Sequence, residues 1–184
     1  MSDLEPVTVT QNENIVEALK KPWDQVVVDI GSNGYISTSP ENTLLILADP
    51  RQNPNDLDWG ENEPDSLSEV IAVRAEVEKI AGLLSQKVDR VQMIAPDPDL
   101  ALGHVKVATE LVKEGGQIVL AFDRNSNKKD NVRKAVREII DSLDSSFEVE
   151  IGDIDKIDLE DLVEGSISSD YNLRRILILT KKQQ

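Results

Sequence analysis

The residues best placed to do chemistry in this chain are carboxylates that close apolar runs. Val26-Val27-Val28 leads to Asp29 and on into Ile30-Gly31-Ser32-Asn33-Gly34, and Thr43-Leu44-Leu45-Ile46-Leu47-Ala48 leads to Asp49 and Pro50. A carboxylate can accept two hydroxyl protons at once, and a residue without Cβ lets the backbone come close to a ligand. Both runs are uninterrupted, as in central strands of a parallel sheet covered on both faces, and sites in such sheets lie at the carboxyl ends of the strands. Asp29, Asp49 and the turn from Gly31 to Gly34 are therefore expected on one rim. Asparagine at Asn33 tolerates the left-handed conformation, so the same turn also fits a plain tight turn with no ligand. Two further acids stand near strand ends: Glu76, where a helical pattern begins, and Asp97, between Pro96 and Pro98.

Composition bounds what this rim can serve. With 184 residues and 39% apolar content, the chain can bury one sizeable core, which predicts a single domain over 1–184. Residues 1–11 read as a flexible N-terminus and 50–68 as an acidic loop rich in Pro and Gly. The absence of cysteine excludes a disulfide framework and a thiolate metal site. With one histidine, a zinc site would have to rest on carboxylates, and no metal is expected. The net charge of −15, from 35 acidic and 20 basic residues, repels a phosphate backbone unless a basic face is segregated. The basic pairs Lys20-Lys21, Lys128-Lys129, Arg174-Arg175 and Lys181-Lys182 are scattered, which argues against nucleic acid as a partner. The start is acidic with no basic flank, and no segment approaches the roughly 20 apolar residues of a membrane span, so a soluble, cytoplasmic protein is expected.

The elements that must position these residues follow from periodicity. Asn12 or Asn14 can cap a short helix with Ile15, Val16, Ala18 and Leu19 on one face, stopped by Pro22. After the two apolar strands, Pro50 to Ser66 has loop composition around Trp59. Val70 to Val73 could open a helix through Val77, Ile80, Ala81 and Leu84 or form a strand that feeds a shorter helix starting near Glu76; its β-branched residues favour the strand. Val88 to Ala95 is a strand, and Asp99 is expected to cap a helix bearing Leu100, His104, Val107, Ala108 and Leu111, closed by Gly115-Gly116. His104, on the apolar stripe, reads as a core residue rather than a base. Gln117 to Phe122 is a buried strand, and Val132, Ala135, Val136, Ile139, Ile140 and Leu143 stripe the next helix. Phe147, Val149 and Ile151 alternate with Glu148 and Glu150, the pattern of an edge strand. Asp158 to Leu162 reads as one helical turn. Ile176 to Leu179 is a last strand with no helix after it, free to pair antiparallel.

In this order, the turn Asp29-Ile30-Gly31-Ser32-Asn33-Gly34, the acid Asp49, Pro96-Asp97-Pro98 and Lys113-Glu114-Gly115-Gly116 before Gln117-Ile118-Val119-Leu120 resemble the class I S-adenosylmethionine-dependent methyltransferases. The resemblance covers residues 12 to 182. It implies an α/β, Rossmann-like, three-layer fold with a mostly parallel seven-stranded sheet and an antiparallel C-terminal strand. It implies S-adenosylmethionine as cofactor, with Asp29, Gly31 and Gly34 at the methionine portion, Asp49 on both ribose hydroxyls and Glu76 at the adenine amino group. Asp97 falls where the family places substrate-facing residues, as the group to orient an acceptor or take its proton. Pro96-Asp97-Pro98 is similar to the Pro-Asp-Pro-Trp of tRNA guanine-N7 methyltransferases, but Asp99 replaces the tryptophan and no basic run follows. Methyl transfer to a small molecule or a protein side chain is the expected activity.

The chain also departs from that pattern. Between Gly34 and Thr43 stand eight residues, including Pro40 and a β-branched, hydroxyl-rich stretch, where the family has a helix. The crossover from Pro50 to Glu69 is equally poor in helical signal. With two helices lost, one sheet face would be thinly covered, and an exposed apolar sheet face costs about 25 cal/mol per Å². That predicts burial by a partner, most simply a second copy in a homodimer, or by the Trp59 loop folding back. It also keeps open a second reading, a catalytically inactive module of the same fold used for binding or assembly. A nicotinamide-dependent dehydrogenase fits worse, since Gly31-Ser32-Asn33-Gly34 is not a Gly-x-Gly-x-x-Gly turn.

Overall fold

Seven strands form one sheet in the order β3-β2-β1-β4-β5-β7-β6. The computed structural model describes residues 13–31, 42–49, 69–73, 75–94, 96–123, 129–153 and 173–183. Strands β1 (Gln25–Ile30), β2 (Thr43–Ala48), β3 (Glu69–Val73), β4 (Val88–Ile94) and β5 (Val112–Asp123) run parallel. Strand β7 (Leu173–Lys181) is inserted antiparallel between β5 and β6 (Phe147–Asp153), so β6 runs in the same direction as β5. Helices α1 (Glu13–Ala18), α2 (Val77–Leu83), α3 (Pro98–Leu111) and α4 (Lys129–Ser142) complete the α/β body. The expected mostly parallel, Rossmann-like sheet with an antiparallel C-terminal strand is the one observed.

Side chains along a strand alternate between faces, and here the alternation divides the core in two. Val26, Val28 and Ile30 of β1, with Leu44, Ile46 and Ala48 of β2, join a large cluster that also holds Val77 and Ile80 of α2, Val105 of α3 and Ile139 of α4. Among the described residues, the intervening Val27, Leu45, Leu47, Val70 and Ala72 form a second cluster made of strand residues. Each is at most 2% exposed in the single chain. Trp59 and both reduced crossovers lie outside the described residues, as do the turn at 158–162 and the cap at Asn12.

Four local expectations are corrected. In α1, Ile15, Ala18 and Leu19 are buried while Val16 is exposed, and the Trp23 indole closes the helix end by donating to the Ala18 carbonyl at 2.7 Å. In α3 the buried stripe is Ala101, Val105, Ala108 and Leu111, so Leu100 lies 56% exposed. The cap is Asp97 rather than Asp99, because Pro98 already opens the first helical turn. Finally, Gly115-Gly116 does not close α3, which ends at Leu111 and passes directly into β5. The glycines sit inside an irregular stretch of β5, between the pairs Val88↔Val112 and Arg90↔Gln117. A Cβ on Gly116 would stand 2.7 Å from the Asp89 carbonyl oxygen, so close approach of backbone explains that glycine.

Candidate functional site

Parallel pairing brings the carboxyl ends of β1, β2 and β3 to a common rim, and main-chain bonds fix the residues that follow them. Ile30 stands opposite Ala48, and the N–H of Gly31 donates to the Ala48 carbonyl at 2.8 Å. The N–H of Asp49 donates in turn to the Val73 carbonyl at 3.2 Å. Gly31 is thus tied to β2 and Asp49 to β3. Gly31 has φ +76°, where side chains carry a strain that glycine lacks. Among the described residues, a Cβ there would meet nothing within 4 Å.

Asp29 is the electrostatic focus of the rim. It is 1% exposed, and Asp49 beside it is 5% exposed. Asp29 stands opposite Gln92 in the β1–β4 register, and the Gln92 amide donates to its Oδ2 at 2.9 Å. Its other oxygen, Oδ1, is buried with no hydrogen-bond partner. Burial pushes the Asp29 carboxyl up to about 7; the negative charge of Asp49 adds to the shift, and the Gln92 hydrogen bond opposes it. A carboxyl held near neutrality with one oxygen unsatisfied is expensive to fold, and such groups concentrate at functional sites.

The other sequence-predicted acids differ. Glu76 is exposed at the start of α2, makes no side-chain cap bond, and faces Lys79 at 3.5 Å. Asp97 is exposed, and its Oδ1 accepts from the Asp99 N–H at 3.1 Å while its carbonyl accepts from Leu100 and Ala101, each at 3.0 Å. Following β3 and β4, both lie toward the same rim, but neither is drawn into the buried pair. Gly34 lies outside the described residues. His104 is half-buried on α3, where burial lowers its imidazole pKa and the charge of Glu78 opposes that.

Sequence reasoning missed Gln92. Its signal is present, one amide inside the apolar run Val91-Gln92-Met93-Ile94. A polar side chain at a buried strand position must find a partner. That this partner is Asp29, 63 residues earlier, depends on register.

No family model matches this chain, and no curated protein matches it. Solved structures do. The putative rRNA methylase from Clostridium thermocellum superposes with a TM-score of 0.57 at 13% identity, covering 96% of this chain and 99% of that one. A point mutant of the 16S rRNA (adenine(1408)-N(1))-methyltransferase from Catenulisporales acidiphilia gives 0.61 at 13% identity over 96% and 95%. An O-methyltransferase from Bacillus cereus in complex with SAH gives 0.54 at 12% identity over 85% and 74%. The strand order and these likenesses agree: the chain has the Rossmann-like fold of the class I S-adenosylmethionine-dependent methyltransferases.

Proposed function

We propose that this protein is an S-adenosylmethionine-dependent methyltransferase whose cofactor lies across the rim of β1, β2 and β3. The observation that carries the reading is Asp29, buried near Asp49 with Oδ1 unsatisfied, with Gly31 at positive φ two residues on. These groups suit the cofactor, which supplies a methyl group on a cationic sulfur and also offers an ammonium and two ribose hydroxyls. Asp29 meets its positive charge and amino donors, Gly31 and Gly34 admit the methionine portion, Asp49 accepts from the ribose hydroxyls, and Glu76 accepts from the adenine amino group. Gln92 holds the Asp29 carboxylate in place. A hydrogen bond to a charged group contributes about 1.5 to 3 kcal/mol, so Asp49 dominates the ribose end.

Asp97 is the acceptor-facing group in this reading, with one oxygen already committed to the α3 cap. Most of the rate then comes from aligning the acceptor with the methyl group rather than from proton transfer. The acceptor is a small molecule or a protein side chain. Two of the similar structures are named for rRNA, but a net charge of −15 repels a phosphate backbone unless a basic face is segregated. Isothermal titration with S-adenosylmethionine tests the cofactor: saturable heat that Asp49→Ala removes supports the reading, and no heat at millimolar cofactor overturns it.

A further inference from the structure

We propose that the outer edge of β6 is a docking site for a basic, extended segment of a partner protein, which adds to the sheet as an eighth strand. Among the described residues the sheet ends at β6, whose inner side pairs with β7 in unbroken register from Phe147↔Lys181 to Asp153↔Arg175. An end strand presents a row of backbone donors and acceptors along its outer side, and proteins usually blunt it with lysine, proline or a bulge. The run Phe147-Glu148-Val149-Glu150-Ile151-Gly152-Asp153 has neither lysine nor proline, and its register carries no bulge.

Its side chains are equally available. Val149 is 41% and Ile151 52% exposed, although their neighbours across the pair, Leu179 and Leu177, are fully buried. Glu148 and Glu150 are exposed on the opposite face of the strand. An added strand would therefore gain main-chain bonds from the edge, apolar contact on one face and carboxylates on the other.

Charge selects the occupant. A second copy continuing the sheet through β6 would set Glu148 and Glu150 beside their own equivalents, between two chains that each carry −15. Like charges facing across strands are destabilising, so the glutamates repel self-pairing while rewarding lysine or arginine. The complementary segment alternates basic and apolar residues, which places its charges over Glu148 and Glu150 and its apolar side chains over Val149 and Ile151.

The test is binding of a labelled synthetic hexapeptide of alternating lysine and valine, followed by anisotropy and by amide chemical shifts of the full-length protein. Saturable binding that shifts β6 amides, and that weakens about tenfold in the double variant Glu148→Lys/Glu150→Lys, is expected when two cross-strand charge pairs are reversed. Val149→Thr/Ile151→Thr, which keeps β-branched residues in the strand, should weaken it as well. A peptide of the same composition with its lysines and valines in separate blocks should bind much more weakly. Equal binding of that block peptide, indifference to both double variants, or no binding at millimolar peptide would overturn the proposal. So would a dimer in sedimentation that Val149→Thr/Ile151→Thr dissociates, because the edge would then belong to a second copy.

Discussion

Two stretches of the same rim use their carboxylates in opposite ways. At the ends of β1 and β2, Asp29 and Asp49 are buried side by side, and Asp29 keeps an oxygen that nothing satisfies. At the start of α3, Asp97 is exposed and occupied with the first turn of its own helix. The second arrangement repays itself locally, through a cap that stabilises α3. The first does not: burying the Asp29 carboxyl beside the negative charge of Asp49 costs stability, and a ligand bringing positive charge and hydrogen-bond donors would recover that cost. Under the proposed function, this contrast puts the cofactor at β1 and β2 and leaves Asp97 to whatever approaches from solvent.

The sharpest way to break the contrast is Asp49→Ala. It should lower affinity for S-adenosylmethionine at least about 100-fold in titration calorimetry, since two hydrogen bonds to a charged group are lost. Unchanged affinity would remove Asp49 from the site.

Asp29→Asn should act on stability. A carboxyl raised from its usual value to about 7 stabilises the fold only while protonated, so that contribution is present in full below the unfolded value and fades as the pH rises toward 7. The wild type should therefore lose stability between pH 4 and 7 by up to about 4 kcal/mol, and Asp29→Asn should be the more stable protein at pH 8 in denaturant melts. Cofactor affinity should move the other way. A cationic ligand favours the ionised carboxylate, so wild-type affinity should fall about tenfold from pH 8 to pH 6 and be nearly flat in Asp29→Asn.

Smaller effects sharpen the other side. Asp97→Ala should cost about 1 kcal/mol through the lost cap, whereas Asp97→Asn, an equally good cap, should melt like the wild type, and neither should change cofactor affinity. Glu76→Gln should leave the melting temperature unchanged, because its ion pair with Lys79 is exposed, and weaken cofactor binding about fivefold through one altered hydrogen bond.

The amino-acid sequence determined by itself the features that repeat over short distances. Continuous apolar runs marked β1, β2 and the core of β5, alternation marked β6 as an edge, and the order of runs and helical stripes implied a mostly parallel sheet with carboxylates at one rim. Hydrophobic patterning carries this information because burial acts on each strand nearly independently. Tertiary structure decided what depends on which strands meet and in which register. It gave Asp29 its partner Gln92, placed the α3 cap on Asp97 and moved Gly115-Gly116 into β5. Those outcomes are pairings between residues far apart in the chain, and no local window of sequence holds both partners.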